Sequence, residues 1–368
     1  MGDGDAPALH ADDTVAPAPA SPILRSPGSW PRARRGRSTI SSGSARRSTA
    51  TAPAASRSAS RPPMAARRIV HAAGDATGAA VLAALANAVA ATPSIEVREG
   101  LLVAGLVEAG GRIAGVRLAD GTVLSARAVV LATGGIGGLY RSATSPRGAT
   151  GRGLAMAARA GAVLRDMEFV QFHPTAIAVA GDPMPLATEA LRGAGAILVD
   201  ESGRRFMADV PGAELAPRDT VARAIHAEIG AGRRVYLDAR ASVGAAFPRR
   251  FPTVDRLCRA AGLDPVNAPI PVRPAAHYHM GGVKVDGSGR SSLAGLYAVG
   301  EVASTGLHGA NRLASNSLIE GLVFARAIAE AILGDSAPSL RPRTAAIAEG
   351  RDIDAGFDLR ALMAPAPG

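Results

Sequence analysis

Cysteine, lysine and tryptophan each occur once among the 368 residues, and aromatic residues make up only 3%. The lone Cys258 excludes an internal disulfide framework and a thiolate metal cluster. Its setting, RLCRA, reads as a helix face, so a packed rather than reactive thiol is expected. The scarcity of lysine bears on the net charge of +10. Such a charge would ordinarily point to nucleic acid. Here Lys284 is the one lysine and arginine supplies the rest, a bias of GC-rich coding rather than of a phosphate-binding surface. Residues 1–66 alone hold nine Arg against four Asp, which is half of the excess. No nucleic-acid partner is therefore expected. No apolar run approaches the ~18 residues of a transmembrane helix, and no apolar h-region precedes a cleavage site. A soluble, cytoplasmic protein without a membrane partner is expected. No G-x-S-x-G elbow occurs, which argues against Ser-His-Asp hydrolysis. His277-x-His279 lacks acidic companions at ligand spacing, which argues against a metal site.

Residues 1–66 consist of Ala, Pro, Ser, Arg and Gly without helical or strand period. Such a stretch cannot bury enough apolar area to offset its ordering entropy, so disorder is expected. The pattern changes abruptly near Ala65. From Arg67 come an extended approach, a loop at Gly74-Asp75-Ala76-Thr77-Gly78 and an amphipathic helix. Strands are expected at about 95–97, 101–108 and 112–118, with Asp120-Gly121 as a hairpin turn. Residues 128–132 read as a buried strand ending in Thr133-Gly134-Gly135, where glycines let a ligand approach the backbone. A helix starts at Thr150-Gly151-Arg152-Gly153 and stops at Gly161. Pro217 starts another, with Arg218 and Asp219 in its first turn.

The densest chemistry lies in residues 277–321, HYHMGGVKVDGSGRSSLAGLYAVGEVASTGLHGANRLASNSLIEG. Val283 and Val285 alternate in a short strand, and Asp286-Gly287-Ser288-Gly289 supplies a turn. Residues 296–299 form an apolar run of buried-strand length, ended by Gly300-Glu301. The following loop carries His308, Gly309, Asn311 and Arg312. Ser315-Asn316-Ser317 then stands as an N-cap cluster before a helix over residues 318–333. A helix N-terminus offers free N–H groups and partial positive charge, which suits an anionic ligand edge.

The AVGE and TGLHGANRLASNSL motifs resemble the L-aspartate oxidase family of the fumarate reductase/succinate dehydrogenase flavoprotein superfamily. MEFVQFHPT, LATEALRG and PRDTVARAI strengthen the resemblance, which covers roughly residues 67–335. It implies an α/β fold with an α+β cap: a partial FAD-binding Rossmann-like domain interrupted by a capping domain. The implied division is 67–166 and 277–335 for the FAD-binding domain and 167–276 for the cap. Residues 1–66 are left as a disordered segment and 336–368 as a truncated C-terminal tail. FAD is the implied cofactor. Its contacts fall on Thr133, Gly134, Gly135, Glu301, Asn316, Ser317 and Leu318. His173, His277 and Arg312 are implied to bind the carboxylates of L-aspartate or fumarate, with Gln171 and Thr188 lining the pocket. Arg218 is implied to transfer the proton, tuned by Asp219 or Glu189. Substrate contact and a supporting role weigh equally for His279. The implied reaction is oxidation of L-aspartate to iminoaspartate, with oxygen or fumarate as acceptor, in NAD biosynthesis. Quinolinate synthase is the implied protein partner. A fumarate reductase or succinate dehydrogenase flavoprotein, and a non-catalytic remnant of the fold, stand as alternatives.

The family's glycine-rich dinucleotide fingerprint is expected before residue 67, and no G-x-G-x-x-G occurs. A truncated or frame-shifted N-terminus is the reading that follows. The chain as written is then expected to bind FAD poorly and to turn over little. Equilibrium titration with FAD checks this, and micromolar or tighter binding would go against it.

Overall fold

The computed structural model describes residues 57–59, 69–72 and 75–335. Expectations for the other residues before 75, and for the tail 336–368, lie outside the described residues. Strand β1 (Arg57–Ala59) pairs antiparallel with β2 (Ile69–His71). This places β1 inside the stretch expected to be disordered. Its short ladder is made by backbone groups, to which a reading of apolar content is blind.

Helix α1 (Thr77–Ala90) follows, and then β3 (Val103–Ala109), β4 (Arg112–Leu118) and β5 (Val123–Ser125) form an antiparallel meander. The strand expected at 95–97 does not form. Ile95 and Val97 are exposed and pair with nothing in that meander, and a strand without a partner has no ladder bonds to hold it. Next come β6 (Val129–Leu131), α2 (Arg152–Arg159), β7 (Leu164–Arg165) and β8 (Val170–Ile177). Gly151 precedes α2 in the left-handed region, and Gly161 beyond its end does the same. They are followed by α3 (Glu189–Gly193), β9 (Ile197–Asp200), α4 (Arg218–Gly230), β10 (Val235–Asp238), α5 (Phe247–Arg250) and α6 (Pro252–Ala260). The last elements are β11 (Ile270–His279), β12 (Gly282–Lys284), β13 (Leu296–Ala298), β14 (Ala303–Ser304) and α7 (Asn316–Gly334).

The result is a mixed α/β fold with several sheets. Strands β8-β11-β10-β9 make a four-stranded antiparallel sheet, and β14-β12-β7 a three-stranded one. Among the described residues the parallel pairs are β6 with β13 and β12 with β14. Two apolar cores result. One packs α3, α4, α5 and α6 against the four-stranded sheet, through Leu191, Leu198, Ile225, Leu237, Phe247 and Val254. The alternation of β10 shows why the sequence folds this way: Val235 and Leu237 point inward while Tyr236 and Asp238 are half-buried. The other core joins residues far apart in sequence, with Ile113, Leu131, Ile136 and Leu154 meeting Val283, Leu296, Val302 and Phe324. Each such large apolar side chain contributes roughly 1.5–3 kcal/mol by burial.

The chain leaves the second core beyond Val170, along β8, and re-enters it at Val283, after β11. The re-entry depends on glycine. A Cβ on Gly281 would overlap the Asp166 carbonyl, and one on Gly282, at φ 156°, would overlap the Val302 carbonyl. No helix among the described residues is long and apolar enough to cross a membrane.

Cys258 is fully buried on α6, and burial pushes its thiol up to about 11. The thiol should resist a disulfide-exchange reagent in the native protein and react at once in denaturant. Rapid labelling of native protein would contradict this packing.

Candidate active site

Strand β8 alternates, so Gln171 and His173 share one face while Phe172 lies on the other. Its antiparallel partner β11 pairs Ala275 with His173, Ala276 with Phe172 and Tyr278 with Gln171. His277 has no partner in this register, because β11 carries a bulge there. A bulge re-aims the side chain of its extra residue. Here it brings the His277 ring to 5.1 Å from that of His173, edge to face. Thr144 fixes the new orientation, with Oγ1 2.7 Å from His277 Nδ1. The Thr144 N–H also donates to the Ala276 carbonyl at 2.9 Å.

His173 Nδ1 accepts the Thr175 N–H at 3.2 Å, so a neutral ring carries its proton on Nε2. That Nε2 is buried and meets no partner among the described residues. Burial holds both imidazoles well below their ordinary range. Arg218 presses both in the same direction, as do His277 and then Arg192 and Arg312 for His173, and Arg312 for His277. Both rings are therefore neutral at pH 7.

Two buried guanidinium groups converge on one amide oxygen. Arg218, in the first turn of α4, and Arg312, in the loop before α7, donate to Gln171 Oε1 at 2.9 and 3.2 Å. Gln171 Nε2 in turn donates to the Arg312 carbonyl at 2.8 Å and to Asn311 Oδ1 at 3.2 Å. Glu189 Oε2 receives both Nε and Nη2 of Arg218, at 3.1 and 2.6 Å. Glu189 is thus the carboxylate on Arg218; Asp219 accepts from Asn311 at 3.0 Å instead. Arg312 also donates to Ser317 Oγ and to the Ala314 carbonyl, and its guanidinium lies 4.2 Å over the Tyr278 ring. Burial, reinforced by Arg218, brings the Arg312 guanidinium down to about 10. For each arginine, three of five N–H donors are engaged among the described residues. The remainder, with His173 Nε2, make a donor-rich cluster of a kind suited to an anion bearing carboxylates.

A second group adjoins it. Because β6 and β13 are parallel and in register, Thr133-Gly134-Gly135 and Gly300-Glu301 emerge side by side at the carboxyl end of that pair. A Cβ on Gly135 would overlap the Glu301 carboxylate and displace it. Gly134, at φ 73°, faces open space. Glu301 Oε1 accepts the His279 N–H at 2.9 Å, and burial raises its carboxyl above the ordinary range against the pull of that bond and Arg312. Asn316, Ser317 and Leu318 form the first turn of α7. The N-cap expectation needs correction here. Ser315 has helical backbone angles and makes no side-chain cap bond, and Ser317 Oγ faces Arg312 instead. The glycine-lined backbone, the ribose-binding type of carboxylate and the helix N-terminus fit the edge of a flavin dinucleotide.

Gln171, His173, Arg218, His277 and Arg312 are thus brought together, and the charge of Arg312 reaches Glu301 of the second group. Thr188 lies one residue from Glu189, where its hydroxyl accepts the Ala190 N–H at 3.4 Å as the cap of α3. His279 is turned away to donate from Nε2 to the Met167 carbonyl at 3.1 Å. The sequence alone did not single out Thr144, Tyr278 or Glu320. For Glu320 a signal existed: Asn316, Glu320, Phe324 and Ile328 recur every four residues, the spacing of a buried stripe. Thr144 carries no local signal, because only the fold brings it to His277.

Neutral buried imidazoles give stability a pH dependence of defined sign. The unfolded rings titrate near about 6.5. Below that value, and down to the lower folded values, the unfolded state binds more protons, so stability falls with pH. The Tm should drop more steeply between about pH 7.5 and about pH 5.5 in the unsubstituted chain than in His173→Gln. Equal slopes would contradict the neutral, buried state of His173.

Residues 3–318 match the family model described as FAD binding domain. The match begins well before residue 67, where the motif resemblance begins. An L-aspartate oxidase of Mesorhizobium japonicum is 58% identical over 280 residues, covering 75% of this chain and 55% of that protein. One of Caulobacter vibrioides is 50% identical over 354 residues, covering 92% of this chain and 68% of that protein. A quinol-fumarate reductase solved with menaquinol molecules superposes with a TM-score of 0.79 at 34% identity, covering 90% of this chain and 62% of that one. The chain spans about half the length of several of these curated relatives. With its site geometry and this breadth of identity, the chain belongs to the L-aspartate oxidase family of FAD binding domain proteins.

Proposed function

We propose that the protein is a cytoplasmic FAD-dependent oxidoreductase that converts L-aspartate to iminoaspartate, with oxygen or fumarate as electron acceptor. The observation that carries this reading is the convergence of Arg218, Arg312 and the partnerless His173 Nε2 beside the Gly135–Glu301 group. A cluster of donors asks for a small anion, and the adjoining glycine-lined edge asks for a dinucleotide. The domain division follows the two cores: residues 67–166 and 277–335 as a partial Rossmann-like FAD-binding domain, and residues 167–276 as a cap.

In this reading Glu301 and the first-turn N–H groups of Ser317 and Leu318 hold the cofactor, and Thr133, Gly134, Gly135 and Asn316 shape its bed. When bound, FAD supplies the acceptor for the hydride lost from the substrate α-carbon. Arg312 pairs one substrate carboxylate through its remaining N–H donors. His173 and His277, held neutral, donate hydrogen bonds without adding positive charge. Gln171 spaces the two guanidinium groups, and Thr188 orients Glu189 at the start of α3. The substrate nitrogen loses H⁺ as the α-carbon loses hydride, and Arg218 relays that proton, taking it as it gives up one of its own to Glu189, the carboxylate that ends as the acid. The imine product is short-lived in water, which suits transfer to a partner such as quinolinate synthase. The similarity to quinol-fumarate reductase supports a second reading, reduction of fumarate alone. Ammonia release from L-aspartate separates the two.

Calorimetric titration with L-aspartate and succinate tests the site without requiring turnover. Arg312→Leu should weaken binding by the ~1.5–3 kcal/mol of a lost charge-assisted hydrogen bond. Unchanged affinity would remove Arg312 from the carboxylate site. Arg218→Leu should leave the FAD titration unaltered and abolish reduction of bound flavin by L-aspartate. Near-normal reduction would take the proton-handling role away from Arg218.

A further inference from the structure

We propose that His308 and Glu320 are a buried positioning pair that sets the orientation of Arg312 through Tyr278, and with it the affinity for one substrate carboxylate. The inference rests on the reading of Arg312 as a carboxylate-binding residue.

Both side chains are buried, at 6% and 3% exposure, although neither belongs to the donor cluster. A buried carboxylate is costly unless its oxygens are satisfied. Here both are. Glu320 Oε2 lies 2.8 Å from His308 Nε2, and Oε1 accepts the Thr305 hydroxyl at 2.6 Å. At that distance from a carboxylate, His308 Nε2 carries the proton and donates it. The loop over residues 305–308 is thereby pinned at two points to the second turn of α7. His308 Nδ1 meets no partner among the described residues, so the ring's orientation depends on Glu320.

The oriented ring then stands edge to face against Tyr278, with centroids 5.3 Å apart at 87°. Tyr278 Oη lies 3.4 Å from His308 Nε2. The face of the same phenol supports the Arg312 guanidinium at 4.2 Å, a cation–π contact. Ser317 takes the Nε of that guanidinium. Glu320 thus holds His308, His308 holds Tyr278, and Tyr278 with Ser317 fixes the plane of Arg312. A planar fork pairs with a carboxylate only in a narrow range of orientations, so tilting the platform costs affinity. The Glu320 charge also favours the charged form of Arg312, which burial opposes.

The test is a double-mutant cycle read by calorimetric titration of the full chain with succinate and L-aspartate. His308→Phe keeps a ring against Tyr278 but loses the hydrogen bond to Glu320, and Glu320→Gln keeps an acceptor for it without the charge. His308→Phe should weaken dicarboxylate binding by about tenfold, the equivalent of one lost hydrogen bond. Glu320→Gln should retain most of the affinity that Glu320→Ala loses. In an Arg312→Leu background, His308→Phe should have no more than about a twofold further effect, because its route to the ligand is gone. Loss of affinity by the same factor in both backgrounds would mark a general structural role and overturn the proposal, as would unchanged affinity in the first. No dicarboxylate binding by the unsubstituted chain would instead overturn the functional reading, and this inference with it. Should Glu320→Ala fail to fold, His308→Phe and Glu320→Gln decide the matter alone.

Discussion

Arg218 and Arg312 approach each other in a buried space because a neutral amide oxygen, Gln171 Oε1, accepts from both. Like charges brought together out of water repel strongly, and little solvent is present to screen them. Two further features offset that repulsion. Glu189 takes Nε and Nη2 of Arg218, and the Tyr278 ring lies under Arg312. The two neighbouring imidazoles remain neutral because any added proton would face these guanidinium groups without water. The site therefore presents hydrogen-bond donors in excess of the acceptors that meet them among the described residues.

That arrangement is assembled from both cores. Arg218 stands on a helix of the core built around the four-stranded sheet, while Arg312 belongs to the loop before α7, which packs into the other. Gln171 sits on β8, just beyond the point where the chain leaves the second core. The contacts at this junction are both polar and aromatic, the latter from Tyr140 edge to face on Phe172 at 5.7 Å. The Asn311–Asp219 bond adds a further tie between the loop and α4.

Much of this was legible beforehand, and for identifiable reasons. The helix that carries Arg218 is announced by Pro217, whose missing N–H costs nothing at a helix start. The helix that carries Cys258 and the parallel strands β6 and β13 follow from apolar spacing and from the glycines that end them. The strand expected at 95–97 was illegible because short apolar stretches become strands only when a partner ladder is available. The Ser315 cap does not form because the Ser315 backbone is already helical, and Ser317, inside the first turn, is turned to Arg312.

The sequence by itself determined which residues are chemically able to act: the buried-strand and helix periods, the arginines in the P-R-D and G-A-N-R motifs, and the histidines beside them. These are local properties, set by side-chain type and by backbone preferences over a few residues. Only the tertiary structure decided their relations. A single bulge in β11 turns His277 toward His173, and the parallel register of β6 and β13 sets Gly135 against Glu301. The same folding brings Glu189 rather than Asp219 to Arg218, and Glu320 to His308. These pairings join residues up to 166 positions apart, as with Gly135 and Glu301. They follow from which apolar faces pack together and which backbone groups find ladder partners, and no local pattern contains that information.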